Sequence, residues 1–139
     1  MNNLSKIGTN GKALDPAQLQ AALFDVQDAL ERSCIPFLVL REVARSLFFD
    51  ESLSGDNIVV CAYDKYFTDS CLSILKMVRP QLTETKHGFE YTVGEVPVEI
   101  RIIRKHFKFL DNPDIRIFYT QEFMIPNPFN SYWKTKTFV

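Results

Sequence analysis

The chain has 139 residues, of which 46% are hydrophobic and 24% charged. That is the mix of an ordinary folded domain, and it argues against disorder or low complexity. The length suits one domain. Sixteen basic residues against seventeen acidic ones leave a formal net charge of -1, so a broad, charge-driven nucleic-acid or membrane surface is not expected.

Residues 1–14 contain Gly8 and Gly11 and show no periodicity, so they are expected to form a flexible arm ahead of a single domain spanning 15–139. Asp15-Pro16 predicts a helix start, with Asp15 as N-cap and Pro16 at the first helical position. Leu19, Leu23, Val26 and Leu30 then form one apolar stripe, and the helix should end near Ser33. Ile35 to Leu40 is a short apolar run with Pro36 near its start, which predicts a buried strand. Arg41 to Phe48 reads as a short helix and Leu53-Ser54-Gly55 as a turn, while Asn57 to Ala62 is a second buried strand. Phe67, Cys71, Ile74 and Val78 mark a third helix, closed by Arg79-Pro80. Leu82 to Glu84 is expected as a short strand. Gly88 to Val93 and Val96 to Ile103 flank the turn Gly94-Glu95 as a hairpin. In its second strand Val96, Val98, Ile100 and Ile102 point one way, and Pro97, Glu99, Arg101 and Ile103 the other. Ile115 to Tyr119 is expected as an edge strand, and Asn127-Pro128 as the start of a last helical segment carrying Tyr132 and Trp133. This order predicts an α+β (α/β) fold, helices packed on a mixed sheet.

No apolar run approaches the ~18 residues of a membrane span. Met1 to Lys6 lack the pattern of a signal peptide, so a cytoplasmic protein is expected. Cys34, Cys61 and Cys71 form no CxxC pair and are expected as buried, reduced thiols. There is no nucleophile elbow, Walker loop or dinucleotide fingerprint.

The acids and the turn between the first strand and the second helix carry more information. Phe37-Leu38-Val39-Leu40 runs into Arg41-Glu42. Gly55-Asp56 precedes Asn57-Ile58-Val59-Val60, and a later strand reads Val96-Pro97-Val98-Glu99-Ile100-Arg101. Downstream comes Ile125-Pro126-Asn127-Pro128-Phe129, followed by Tyr132. In order and spacing, from about residue 18 to 135, the chain resembles the nucleotidyltransferase superfamily, above all its minimal and LicD-like members. Their pattern is a strand, a Gly-Gly or Gly-Ser turn into a helix, a strand with acid-x-acid, and a third acid on a later strand.

The resemblance implies a nucleotidyltransferase-like fold in which Asp56 and Glu99 are the catalytic, metal-holding acids and Mg²⁺ is the cofactor if the chain is active. Ile58 stands where the second acid belongs and offers a metal no oxygen; Asp50, Glu51 and Asp64 are the acids available to replace it. Arg41 and Arg101 are the implied nucleotide- or phosphate-binding residues, although Arg41 and Glu42 replace the small residues of the turn. Weakened or lost catalysis, with a pocket for a nucleotide or phosphorylated ligand, is therefore expected. Against these roles stand structural ones: Asp56 as a turn residue, and Glu99 as an ion-pair partner of Arg41, Arg101 or Lys86.

Two further surfaces merit a reading. Arg101, Arg104, Lys105, His106 and Lys108 form a basic cluster with Phe107 and Phe109, either a phosphate or nucleic-acid contact or a solvated loop balanced by Asp111 and Asp114. The aromatics of the second half, Phe89, Phe107, Phe109, Phe118, Phe123 and Phe129, are expected first of all to fill the core; the C-terminal end, with Phe118, Phe123, Phe129, Tyr132 and Trp133, is the expected contact surface if the domain is instead a non-catalytic structural or protein-interaction subunit.

Overall fold

The computed structural model describes residues 14–127, except the side chain of Phe109. The expected arm and the segment with Phe129, Tyr132 and Trp133 lie outside the described residues. Helix α1 spans Pro16–Arg32. Its first turn is tied down where the backbone N–H of Asp15 donates to Gln18 Oε1 at 2.9 Å. The predicted stripe Leu19, Leu23, Val26 and Leu30 is fully buried. Strand β1 covers only Leu38–Leu40. Ile35 and Phe37 of the predicted strand are buried and Pro36 between them is exposed, and all three lie outside the strand, as a proline without an N–H favours. Helix α2 spans Arg41–Phe49, strand β2 Ile58–Tyr63 and helix α3 Asp69–Val78. Thr68 caps α3 by accepting from the N–H of Cys71 at 3.2 Å, so Phe67 falls before the helix.

Strands β3 (Thr83–Glu84), β4 (Gly88–Val93) and β5 (Val96–Ile103) complete a five-stranded mixed sheet of order β1-β2-β5-β4-β3. β2 runs parallel to β5, and the other neighbours are antiparallel. Gly88 is obligatory: its φ is +155°, and a Cβ there would lie 2.0 Å from the carbonyl oxygen of Ile100. Strand β6 (Asp114–Phe118) pairs with β7 (Gln121–Ile125), a strand the sequence reading lacks, in a separate antiparallel ribbon.

The main core lies on one face of the sheet. There α1 and α2, with Leu75 of α3, meet Ile58, Val60, Val98 and Ile100. An ionic network fastens α1 to the end of α3 and to β4. Arg79 Nε donates to Asp25 Oδ1 at 2.8 Å, and the Tyr91 hydroxyl donates to the same oxygen at 2.7 Å. Burial alone would lower the Arg79 pKa; the hydrogen bond and charge of Asp25 outweigh it and hold it up.

Phe123 and Phe118 take the core role of the two open to them and not the partner surface. Phe123 is fully buried and stacks on Phe24 at 6.1 Å, and half-buried Phe118 meets the same ring at 5.8 Å. Cys34 is corrected as well: it sits in a left-handed turn after α1 (φ +61°) and is exposed, whereas Cys61 is buried. Among the described residues no helix is long and apolar enough to cross a membrane.

Candidate functional site

The sheet face opposite the main core carries the chemistry. Alternation along β5 sets Glu99 and Arg101 there, as the sequence predicts. Cross-strand register then defines two rows. Leu40, Val59, Glu99 and Glu90 stand side by side on β1, β2, β5 and β4; Leu38, Cys61, Arg101 and Gly88 form the next row. The β2 residue beside Glu99 is therefore Val59. Ile58, where the second acid was expected, is fully buried on the helix-covered face and pairs with Val98. The acid pattern is thus out of register by one residue on β2, and the place next to Glu99 is apolar.

Asp56 is exposed in the bend Gly55–Asn57 that leads into β2. Gly55 (φ +126°) brings that bend against the first turn of α2, since a Cβ on it would sit 3.0 Å from Glu42 Cβ. Arg41, directly after Leu40, starts α2 and is exposed. The fold thus gathers the 41–42 turn, the 55–57 bend and the Leu40–Val59–Glu99 row at one end of the sheet, where the resemblance places the site.

The electrostatics of that end are settled locally. Arg101 Nε donates to Glu99 Oε2 at 2.9 Å, in a pair that is about three-quarters buried on both sides. The pair also relieves Glu99 of the like charge of Glu90, directly opposite on β4. Of the two readings of Glu99, the ion pair with Arg101 is realised.

The rest of this face is filled by the chain itself. After β5 the backbone folds back through a short 3-10 turn, Lys108–Leu110. Leu110 then joins Leu40, Val59, Cys61 and Ile103 in a second buried cluster, with Tyr63 and Phe107 packed against it. Burial pushes the Cys61 thiol up from 9.0 to about 12, against the weaker opposing effects of the Leu38 backbone and of Arg101. Cys61 is therefore a neutral hydrophobe at ordinary pH and neither a ligand nor a nucleophile.

These residues do not fit a catalytic Mg²⁺ site. Such a site needs several carboxylate oxygens converging on the metal. Here one acid is exposed on a bend, one is engaged by Arg101, and the intervening position is Val59. Among the described residues no three His, Cys, Asp or Glu side chains are grouped to hold a metal.

Sequence reasoning missed Val59, Cys61 and Leu110. β2 is buried on both faces, so its run of Ile, Val, Val, Cys and Ala shows no alternation from which to read its orientation. Leu110 lies in a segment without periodicity.

Among solved structures, the chain is similar to ANT(2")-Ia, a nucleotidyltransferase, in its crystal structure in complex with adenylyl-2"-tobramycin. The TM-score is 0.54, with 10% identity, over 78% of this chain and 69% of that one. No family model matches the chain, and no curated protein matches it. At such identity the likeness speaks for the fold alone, and the fold is nucleotidyltransferase-like.

Proposed function

We propose that this is a nucleotidyltransferase-fold domain that does not carry out metal-dependent nucleotidyl transfer. On this reading it binds a nucleotide or another phosphorylated ligand at the Arg41 end of the sheet. One observation carries the reading: Val59 stands beside Glu99 on a face closed over by Leu110, where a metal-holding acid would have to be. Exposed Arg41, at the start of α2, is the group that would meet phosphate oxygens.

The test is thermal unfolding with nucleoside triphosphates, each with and without Mg²⁺. A ligand bound only by the folded state, at a hundredfold excess over its Kd, adds about 2.7 kcal/mol of stability. The expected result is a shift independent of Mg²⁺ and lost in Arg41→Gly. A shift that requires Mg²⁺ and disappears in Asp56→Ala would overturn the reading and restore the enzyme.

A second reading, a protein-interaction subunit, is favoured by a different surface from the one first expected. Ile115 and Ile117 on β6 are 57% and 60% exposed, Tyr119 in the turn that follows is 69% exposed, and Met124 pairs with Ile115. Beside them an apolar groove of about 260 Å³ is rimmed by Glu31 and Glu122, which make no side-chain ion pair among the described residues. A partner segment alternating apolar and basic residues fits this surface. Binding of a synthetic Leu/Lys peptide, weakened in Ile117→Ser and in Glu122→Lys, is the expected result; no binding, or no effect of either change, removes this reading.

A further inference from the structure

A cleft lies at the far end of β2 from Asp56 and Arg41. Because β2 and β5 are parallel and in register to their last residues, Tyr63 and Ile103, the chain leaves both strands at the same end of the sheet. Two departing loops then flank a crevice, the common position for a ligand beside parallel strands. Here the turn Asp64–Tyr66 leaves β2 and residues 104–106 leave β5, and between them lies a cleft of about 380 Å³.

Its walls are held in place from below. Ile103 and Leu110 belong to the buried cluster under Val59 and Cys61, and Tyr63 and Phe107 pack on it. The loop between them is braced by His106 Nε2 against Asp111 Oδ1 at 2.8 Å, so this carboxylate is already engaged.

The cations of the lining are not used up in this way. Arg104 makes no hydrogen bond or ion pair among the described residues, so its whole planar fork of donors is available. Lys65 Nζ lies 5.3 Å over the Tyr66 ring and Lys105 Nζ 5.3 Å over the Phe107 ring. Such contacts steady an ammonium group while leaving N–H donors for a ligand. Asp64 is the one lining carboxylate without an ion pair among the described residues. Three cations, one of them a fork, facing one unpaired acid match an anion with several oxygens on one centre.

We propose that this cleft binds the phosphoryl group of a small molecule, with the Arg104 guanidinium bidentate on its oxygens and Lys65 and Lys105 completing the charge. The assignment is independent of the reading above, since neither Arg41 nor Arg101 lines the cleft.

The experiment is titration of the full chain with inorganic pyrophosphate, followed by calorimetry and by backbone amide shifts. Saturable binding is expected, with shifts centred on residues 64–66 and 103–106. Loss of a charge-assisted bidentate contact in Arg104→Ala should weaken it by about tenfold or more, with Arg104→Lys in between. Arg104 is exposed, so an unchanged melting temperature in these variants separates lost binding from lost folding. A nucleoside diphosphate titrated in parallel identifies the source. Equal affinity assigns a free phosphate; tighter binding assigns a nucleotide.

Three results overturn the proposal: no saturable binding, binding unaffected in Arg104→Ala, or tighter binding of a single-stranded oligonucleotide than of either small anion. Pyrophosphate binding lost in Arg41→Gly but kept in Arg104→Ala would place the anion on the sheet face, against the cleft and in favour of the first reading.

Discussion

Removing the Cys61 thiol tests whether the candidate face is sealed. In the unfolded chain this thiol loses its proton near its ordinary 9.0; in the folded chain it is pushed up to about 12. The folded-state value is the higher one, so the contribution to stability is complete below about pH 9 and is lost as pH rises towards about 12. Within that window one such group costs about 1.4 kcal/mol per pH unit. Between about pH 8 and pH 10 the folded state should therefore lose about 1.4 kcal/mol through Cys61 alone, or about 5 °C in Tm for a domain of this size.

Cys61→Ala removes that part. It leaves a small cavity worth about 1 kcal/mol at every pH, but its stability should fall less steeply in alkali. Tyr91, raised first of all by burial, contributes equally to both proteins and cancels in the difference; Tyr63, also raised first by burial, cancels except for the small part of its rise that comes from the charge of Cys61 itself. The assay is urea unfolding of the two proteins at both pH values. It is joined by the rate of native-state thiol modification in a background with Cys34 and Cys71 changed to Ser. Equal alkaline slopes, or rapid modification of Cys61 at neutral pH, would show that the thiol is open to solvent. The face would then be open, with room for a ligand beside Glu99.

Further perturbations probe the frame and the site. Asp25→Ala leaves the Arg79 Nε and the Tyr91 hydroxyl without their shared acceptor and should cost about 2 kcal/mol, read as a lower urea midpoint. Gly88→Ala drives a methyl into the Ile100 carbonyl and should destabilise by more than about 3 kcal/mol, since both strands would have to part; an unchanged Tm would refute this. Val59→Asp buries a carboxylate beside Glu99 and should cost about 2–4 kcal/mol without rescue by Mg²⁺, because Arg101 holds Glu99. A clear rise in the Tm of that variant on adding Mg²⁺ would show that the metal site lacks only one oxygen donor.

Where the chain alternates or carries a turn residue, it was legible. β5 reads in both directions because polar Glu99 and Arg101 interrupt Val98, Ile100 and Ile102, and structure and sequence agree on the strand to the residue. Helix α1 was equally plain, from its Pro16 start to its apolar stripe. β2 was recognisable as a strand, but not in orientation, because both of its faces are covered; the acid-x-acid spacing counted from Asp56 falls on Ile58, which the pairing turns away from Glu99. The ribbon was half read. Gln121 to Ile125 shows no clean alternation, so residue type alone leaves Phe118 and Phe123 open between core and surface, and pairing decides it by turning them inward and Ile115 and Ile117 out. Nothing local announces that Leu110 returns to the sheet, because that contact spans residues far apart in sequence.

Arg41 joins the fold to its proposed ligand, and one substitution separates the two. Its φ is +62°, in the left-handed region. A glycine adopts that conformation without steric cost, whereas an L side chain pays about 1 kcal/mol. The turn into α2 thus has the backbone a glycine would favour, with a guanidinium mounted on it. In Arg41→Gly the relief of strain is opposed by the greater freedom of glycine in the unfolded chain, about 0.5–1 kcal/mol. The two nearly cancel, so stability should change by less than about 1 kcal/mol, measured by urea unfolding. Nucleotide binding should respond differently. If the guanidinium meets the phosphates, Arg41→Gly folds normally and loses the Mg²⁺-independent shift. A variant that keeps the shift would show that Arg41 has no part in binding, and loss of the shift in Arg104→Ala would then place the nucleotide in the cleft between β2 and β5. A loss of stability beyond about 2 kcal/mol would mean that the contacts of Arg41 within the protein hold the turn, and that its place there is structural.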